Sequence, residues 1–194
     1  MRRRLASAIG GLFLVLAIAG PAFADTSPQG SGDRVYFDAN SAVCGQSTCT
    51  ETFARAEAAN FKSGESYSYL CVDQFTFSIR GGNRSKGFSG CADVPIDVAD
   101  DLSSASASAH IVADSCGRRT CTTTELDVSV SLVATSDPAP YSYSYRNKFD
   151  TCTETGKVTG VSAEAQGTID LNGSSIDAYG GIAAESFSYT VRCR

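Results

Sequence analysis

The chain has 194 residues, with 16 basic and 21 acidic side chains, one histidine, no tryptophan and eight cysteines. Removal of an amino-terminal segment that holds Arg2, Arg3 and Arg4 but no acid takes the net charge from −5 to −8, which argues against a surface built to grip nucleic acid or anionic lipid. What is left is long enough for one medium domain or two small ones.

In chain order, the first element is an address. Met1 to Arg4 is positive, Leu5 to Gly20 is apolar or small, and Pro21 is followed by Ala22-Phe-Ala24. This is the pattern of a secretory signal peptide over 1–24, with cleavage expected between Ala24 and Asp25. The apolar run is short for a bilayer span. The expected location is therefore secreted or extracytoplasmic. Twelve arginines against four lysines point to a bacterial source. Residues 25–32 are polar with Gly and Pro, and are expected to be a disordered lead-in.

Beyond the lead-in, alternation dominates. Tyr67, Tyr69, Cys71, Phe75, Phe77 and Ile79 share one parity, as do Leu126, Val128, Val130 and Leu132, and Phe187, Tyr189, Val191 and Cys193. A period of two is the mark of a strand with two unlike faces. The expected strands are 34–43, 48–60, 66–80, 85–92, 105–114, 122–135, 140–150, 157–171 and 182–193. Turns are expected at Gly81-Gly-Asn83, Asp137-Pro-Ala-Pro140, Asn172-Gly173 and Gly180-Gly181. Residues 51–62 are good helix formers, yet their place in the pattern favours a strand. The fold class is all-β. Two small antiparallel β-domains are expected, over 33–95 and 102–194, joined by an acidic linker at 96–101. The second has more strands and suits an immunoglobulin-like sandwich. The alternative is one pseudo-symmetric sandwich in which both halves share a core.

The eight cysteines suggest four disulfides in an oxidising compartment. Cys44-Gly-Gln-Ser-Thr-Cys49-Thr50 and Cys116-Gly-Arg-Arg-Thr-Cys121-Thr122 agree at five of seven positions. Each is followed by a Ser/Tyr strand and two more cysteines, so the set divides into two groups of four. The expected pairs are Cys44–Cys49, Cys71–Cys91, Cys116–Cys121 and Cys152–Cys193. A zinc site would want shorter Cys spacing or more His, and neither a metal nor a cofactor is expected. Asp93, Asp97, Asp100 and Asp101 suit a solvated connector better than a calcium loop, as no EF-hand spacing is present.

No catalytic constellation stands out. A Ser-His-Asp triad would have to use His110, the only imidazole, which lies in an Ala/Ser strand. Two features remain as binding candidates. One is the stripe Tyr141, Tyr143, Tyr145, whose rings suit a sugar or a partner protein. The same rings also suit a core, since Tyr69 shares its parity with Phe75 and Phe77. The other is Arg118-Arg119, at the tip of a disulfide-pinned loop that suits a carboxylate or phosphate partner.

The duplicated Cys-x4-Cys segment, the Ser/Tyr strands and the ending Ser-Phe-Ser-Tyr-Thr-Val-Arg-Cys193 together resemble a loose group of secreted, Cys-rich, two-part bacterial β-proteins. That resemblance implies export, disulfides and a β fold, and it carries no activity. The function expected is a non-catalytic extracellular binding or structural module that contacts a cell-surface glycan or protein. The alternatives are an inhibitor of a hydrolase acting through the pinned loop, and a hydrolase built on a carboxylate pair.

Overall fold

The computed structural model describes residues 29–79, 84–116 and 120–193. The expected cleavage pair Ala24 and Asp25, the turn at 81–83, and Arg118 with Arg119 lie outside the described residues. Ten strands follow in chain order: β1 (Gln29–Cys44), β2 (Thr48–Phe61), β3 (Ser66–Ser78), β4 (Arg84–Asp93), β5 (Ile96–Val98), β6 (Ser104–Cys116), β7 (Cys121–Ala134), β8 (Ala139–Phe149), β9 (Cys152–Leu171) and β10 (Ser174–Cys193). The fold is all-β and antiparallel, and residues 51–61 are strand. The order is β10-β1-β2-β3-β4-β6-β7-β9-β8, and β9 also pairs with β10. A hydrogen-bonded circuit of eight strands therefore closes on itself, giving a sandwich-like closed sheet.

Its thinnest seam is β4–β6, where the register joins Ser89 to Asp114. Gly90 sits there against Ile111 and Ala113, and a Cβ at this position would approach them to 2.7–2.8 Å. A glycine is what lets the two strands close the circuit.

One core fills the interior. Phe37, Leu70, Ile111, Leu132, Ile169 and Ile182 are fully buried, with Ala39, Ala54, Ala56, Ala107 and Ala165 between them. Many inward positions are alanine, which keeps the interior narrow and leaves little room for rings. The residue spans 33–95 and 102–194 divide the strands but share this core, because β1 and β10 pair from Gln29↔Thr190 to Asn40↔Tyr179. Of the two arrangements expected, the described one is the shared core.

Several local expectations are corrected. Strand β1 begins at Gln29, within the expected lead-in. The 96–101 connector contains β5, which pairs with β6, and Ile96 and Val98 pack against the core. Leu102, held at φ 59° in the turn that follows, is buried among the core residues. Gly180-Gly181 is no turn. It lies inside β10, where a Cβ on Gly180 would meet the Asp38 carbonyl oxygen at 1.7 Å. Glycine is needed there for close strand approach. The turn is at Asn172-Gly173 alone, both residues in the left-handed region, as a two-residue hairpin requires.

Three disulfides are described: Cys44–Cys49, Cys71–Cys91 and Cys152–Cys193. Each joins residues directly opposite on neighbouring strands. Cys121 is also disulfide-bonded, and the backbone register sets it opposite Cys116. This chemistry fits an oxidising compartment.

Candidate functional site

Beyond the core, β8, the first half of β9, the end of β10, the start of β1 and the end of β2 continue as an arm of the sheet. The arm has two faces of opposite character. On the face continuous with the core interior, the apolar residues give way to hydroxyls and charge. One row there reads Ser142, Thr159, Ser186, Asp33 and Asn60, strand by strand. Ser186 donates to Asp33 at 2.5 Å. A shallow cavity of about 380 Å³ opens on this side, with Val35, Ala58 and Val161 beside those polar groups.

The outward face is aromatic. Its rows read Tyr141–Gly160–Glu185–Arg34–Ala59–Tyr67, then Tyr143–Val158–Phe187–Gly32–Phe61, then Tyr145–Gly156–Tyr189–Gly30. The rings lie across the neighbouring strand rather than standing on their own. A Cβ on Gly156 would meet the Tyr145 ring at 2.3 Å, and one on Gly30 would meet the Tyr189 ring at 2.3 Å. The Tyr141 hydroxyl crosses β9 to reach Glu185 on β10. Val158, between Tyr143 and Phe187 in the register, is almost fully covered although it points away from the core. Ring contacts link Tyr69 to Tyr67, Tyr67 to Phe61, and Phe61 to Phe187, with centroids 5.7, 5.9 and 5.4 Å apart. Phe187 then meets Tyr189 at 6.5 Å, and Tyr141, Tyr143 and Tyr145 follow one another at 6.3 and 6.4 Å. With Tyr36, every tyrosine of the chain except Tyr179 belongs to this face.

Beneath the rings lies a saturated ionic cluster. Glu57 and Glu185 are both buried, on strands that flank β1. Arg34, on β1, bridges them, with its Nε on Glu185 and Nη1 3.6 Å from Glu57. Glu57 also accepts from Arg55 at 2.7 Å, Tyr67 at 2.5 Å and Tyr69 at 3.3 Å. Glu185 accepts from Tyr141 and from Tyr36, the latter at 3.1 Å. Arg34 lies over the Tyr36 and Phe187 rings, and Arg55 over Tyr36. Buried charges are tolerated when paired and hydrogen-bonded in this way.

The electrostatics follow from that packing. Burial alone would push the Glu57 carboxyl up, but the Tyr67 and Arg55 hydrogen bonds and the two guanidinium charges hold it below its ordinary value. Burial and the Glu185 charge push Tyr36 up to about 12. Burial, aided by hydrogen bonds to carboxylates, pushes Tyr67, Tyr141 and Tyr145 above the ordinary phenol range. The phenols are therefore neutral donors at any physiological pH. Asp38 differs: burial raises its pKa and Arg55 only partly offsets this. An acid raised by folding stabilises the fold below its ordinary pKa, and that contribution is lost as pH rises through the folded value. Asp38→Asn is accordingly expected to gain on the order of 0.5 kcal/mol at pH 7, read from the urea midpoint, with the gain vanishing in acid.

The tyrosine stripe expected at Tyr141, Tyr143 and Tyr145 thus joins Tyr67, Tyr69 and Tyr189 on a single surface. The expectation that Tyr69, Phe75 and Phe77 face the core is corrected, since β3 turns Leu70 and Val72 inward. Missed by sequence reasoning were Arg34, Arg55, Glu57 and Glu185. The signal for them was faint: in β9, Gly156 marks where the Tyr145 ring lies across the backbone, and Gly160 where β10 brings Glu185 close.

His110 lies elsewhere, on the exposed side of β6, with Nδ1 2.8 Å from Asp127 and Nε2 3.8 Å from Glu125. The hydrogen bond to Asp127 raises its pKa. A histidine raised in this way contributes stability below its ordinary pKa, and loses it as pH rises through the folded value. An NMR titration should place His110 above the ordinary histidine range, and Asp127→Asn should bring it back towards that range. An unshifted His110 in the parent protein would refute the pairing.

The chain matches no protein-family model, no curated protein and no solved structure.

Proposed function

We propose that the protein is a secreted, non-catalytic binding module that contacts a cell-surface glycan or protein through the aromatic face of the β8–β9–β10–β1–β2 arm. The observation that carries this reading is the collection of seven tyrosines on one face, five of them held by hydrogen bonds to Glu57, Glu185 and Glu154. Tyr143 is 45 % and Tyr67 40 % exposed, so ring surface is offered to solvent while its mounting is buried. Rigid aromatic surface on a disulfide-bonded sheet makes contacts at little entropic cost.

The carboxylate pair supports binding rather than hydrolysis. A general acid needs a raised pKa, whereas Glu57 is held low. Both carboxylates are occupied by phenols and guanidinium groups.

The test is co-sedimentation of the oxidised mature chain with cell-wall and insoluble polysaccharide preparations, with reduced protein as the control. Saturable pelleting that disappears in Tyr143→Ala/Tyr67→Ala is the expected result. Undiminished pelleting of that variant would overturn the assignment to the aromatic face.

A further inference from the structure

Both arginines of the aromatic face are engaged by its carboxylates. Arg34 and Arg55 balance Glu57 and Glu185, and the carboxylates are filled by phenol and guanidinium donors. Arg55 Nε, a buried donor without a hydrogen-bond partner among the described residues, is closed off from any ligand. Tyr145 is likewise tied to Glu154 at 2.6 Å. What the face presents among the described residues is therefore ring surface with no free cation, to which Glu154 adds a further carboxylate. The chain as a whole is acidic, at −5 before removal of the signal segment, and repels polyanions at long range.

The rings also form a line. Tyr141, Tyr143 and Tyr145 follow one another along β8 at 6.3 and 6.4 Å, the first two within 6° of parallel. A compact ligand covers one ring of such a line; a chain covers all three. Phenols that donate to carboxylates have electron-rich rings, and electron-rich faces attract the positively polarised C–H groups of a sugar.

We infer that the aromatic face takes an extended, uncharged polysaccharide chain laid along β8 over Tyr141, Tyr143 and Tyr145, an assignment that rests on this face being the binding surface. Recognition is by stacking, so it does not depend on ionic strength. Specificity against acidic polymers comes from the absence of a free cation on the face and from the negative charge of the whole protein.

The test compares retention of the oxidised mature chain on cellulose and chitin, both neutral, with retention on insoluble alginate and polygalacturonate, both acidic. Sodium chloride is varied from about 0.05 to about 0.5 M, a range that collapses the screening length. The expected result is retention on a neutral polymer that salt leaves unchanged. Tyr143→Ala should lower it about tenfold, the loss of one stacked ring, while Tyr179→Ala, on the far end of β10, leaves it intact. Matching urea midpoints for both variants establish that each is folded. Retention on the acidic polymers alone, weakening with salt and lost in Tyr143→Ala, would overturn the uncharged ligand while leaving the binding face in place. Retention that Tyr143→Ala does not change would overturn the binding face itself. No retention of folded protein on either neutral polymer would also overturn the inference.

Discussion

Glu185→Leu is expected to destabilise the protein by about 3 kcal/mol at neutral pH. The substitution leaves Arg34, half-buried over Phe187 and Tyr36, with only Glu57, 3.6 Å away, as its counter-charge. It also strips the Tyr141 and Tyr36 hydroxyls of their acceptor. Removing one member of a buried pair costs more than the pair contributes, because the partner is left unsatisfied. The urea midpoint should fall with little change in slope. The double variant Glu185→Leu/Arg34→Met should recover much of the loss, since the uncompensated charge is gone. A single variant as stable as the parent would show that the pair is solvated rather than buried. Glu57 gives the same cluster a pH dependence. Its pKa is held below its ordinary 4.5, so its contribution is present above that value and is lost as pH falls through the depressed one. Acid should therefore loosen the tyrosine face, visible as loss of near-ultraviolet dichroism.

Cys152→Ser/Cys193→Ser carries the second large effect. This bridge ties the first residue of β9 to the last of β10, 41 residues apart in sequence. Under the chain-entropy relation a loop of this length contributes about 4 kcal/mol, against about 2 kcal/mol for the five-residue separation of Cys44–Cys49. The Cys44–Cys49 pair is therefore the natural control, and Cys44→Ser/Cys49→Ser should lower the urea midpoint by about half as much. Because Cys152 and Cys193 sit at the tip of the arm, hydrogen exchange should rise first in residues 152–162 and 186–193, before the core strands open. Uniform exchange across β6 and β7 as well would mean that the arm and the core unfold as one unit.

Much of the fold was legible because alternation is unambiguous when one face is aliphatic and the other polar. Leu126, Val128, Val130 and Leu132 all point inward on β7, as their spacing requires. The hairpin at Asn172-Gly173 announced itself by its dipeptide. The three described disulfides join cysteines that fall opposite each other once strand order is known. Where both faces of a strand are apolar, parity alone fails. On β3 the larger residues Tyr69 and Phe75 face outward, while Leu70 and Val72 fill an interior narrowed by alanines from other strands. Side-chain size pointed the wrong way there. Gly180-Gly181 carried the composition of a turn, yet its cause is the close approach of the neighbouring strand β1 at Asp38. The site was legible only in its rings. Glu57 and Glu185 are separated by most of the chain, and only the pairing of β1 with both β2 and β10 brings them to Arg34.

The most direct test of the aromatic face is hydroxyl-radical footprinting of the oxidised mature chain, free and bound to an insoluble neutral polysaccharide, read tyrosine by tyrosine. Protection of Tyr141, Tyr143 and Tyr145 is expected, with Tyr179, which is 65 % exposed, oxidised equally in both states. Protection of Tyr179 or of the outward residues of β6 and β7, with Tyr143 still open to attack, would contradict the account and move the binding surface elsewhere.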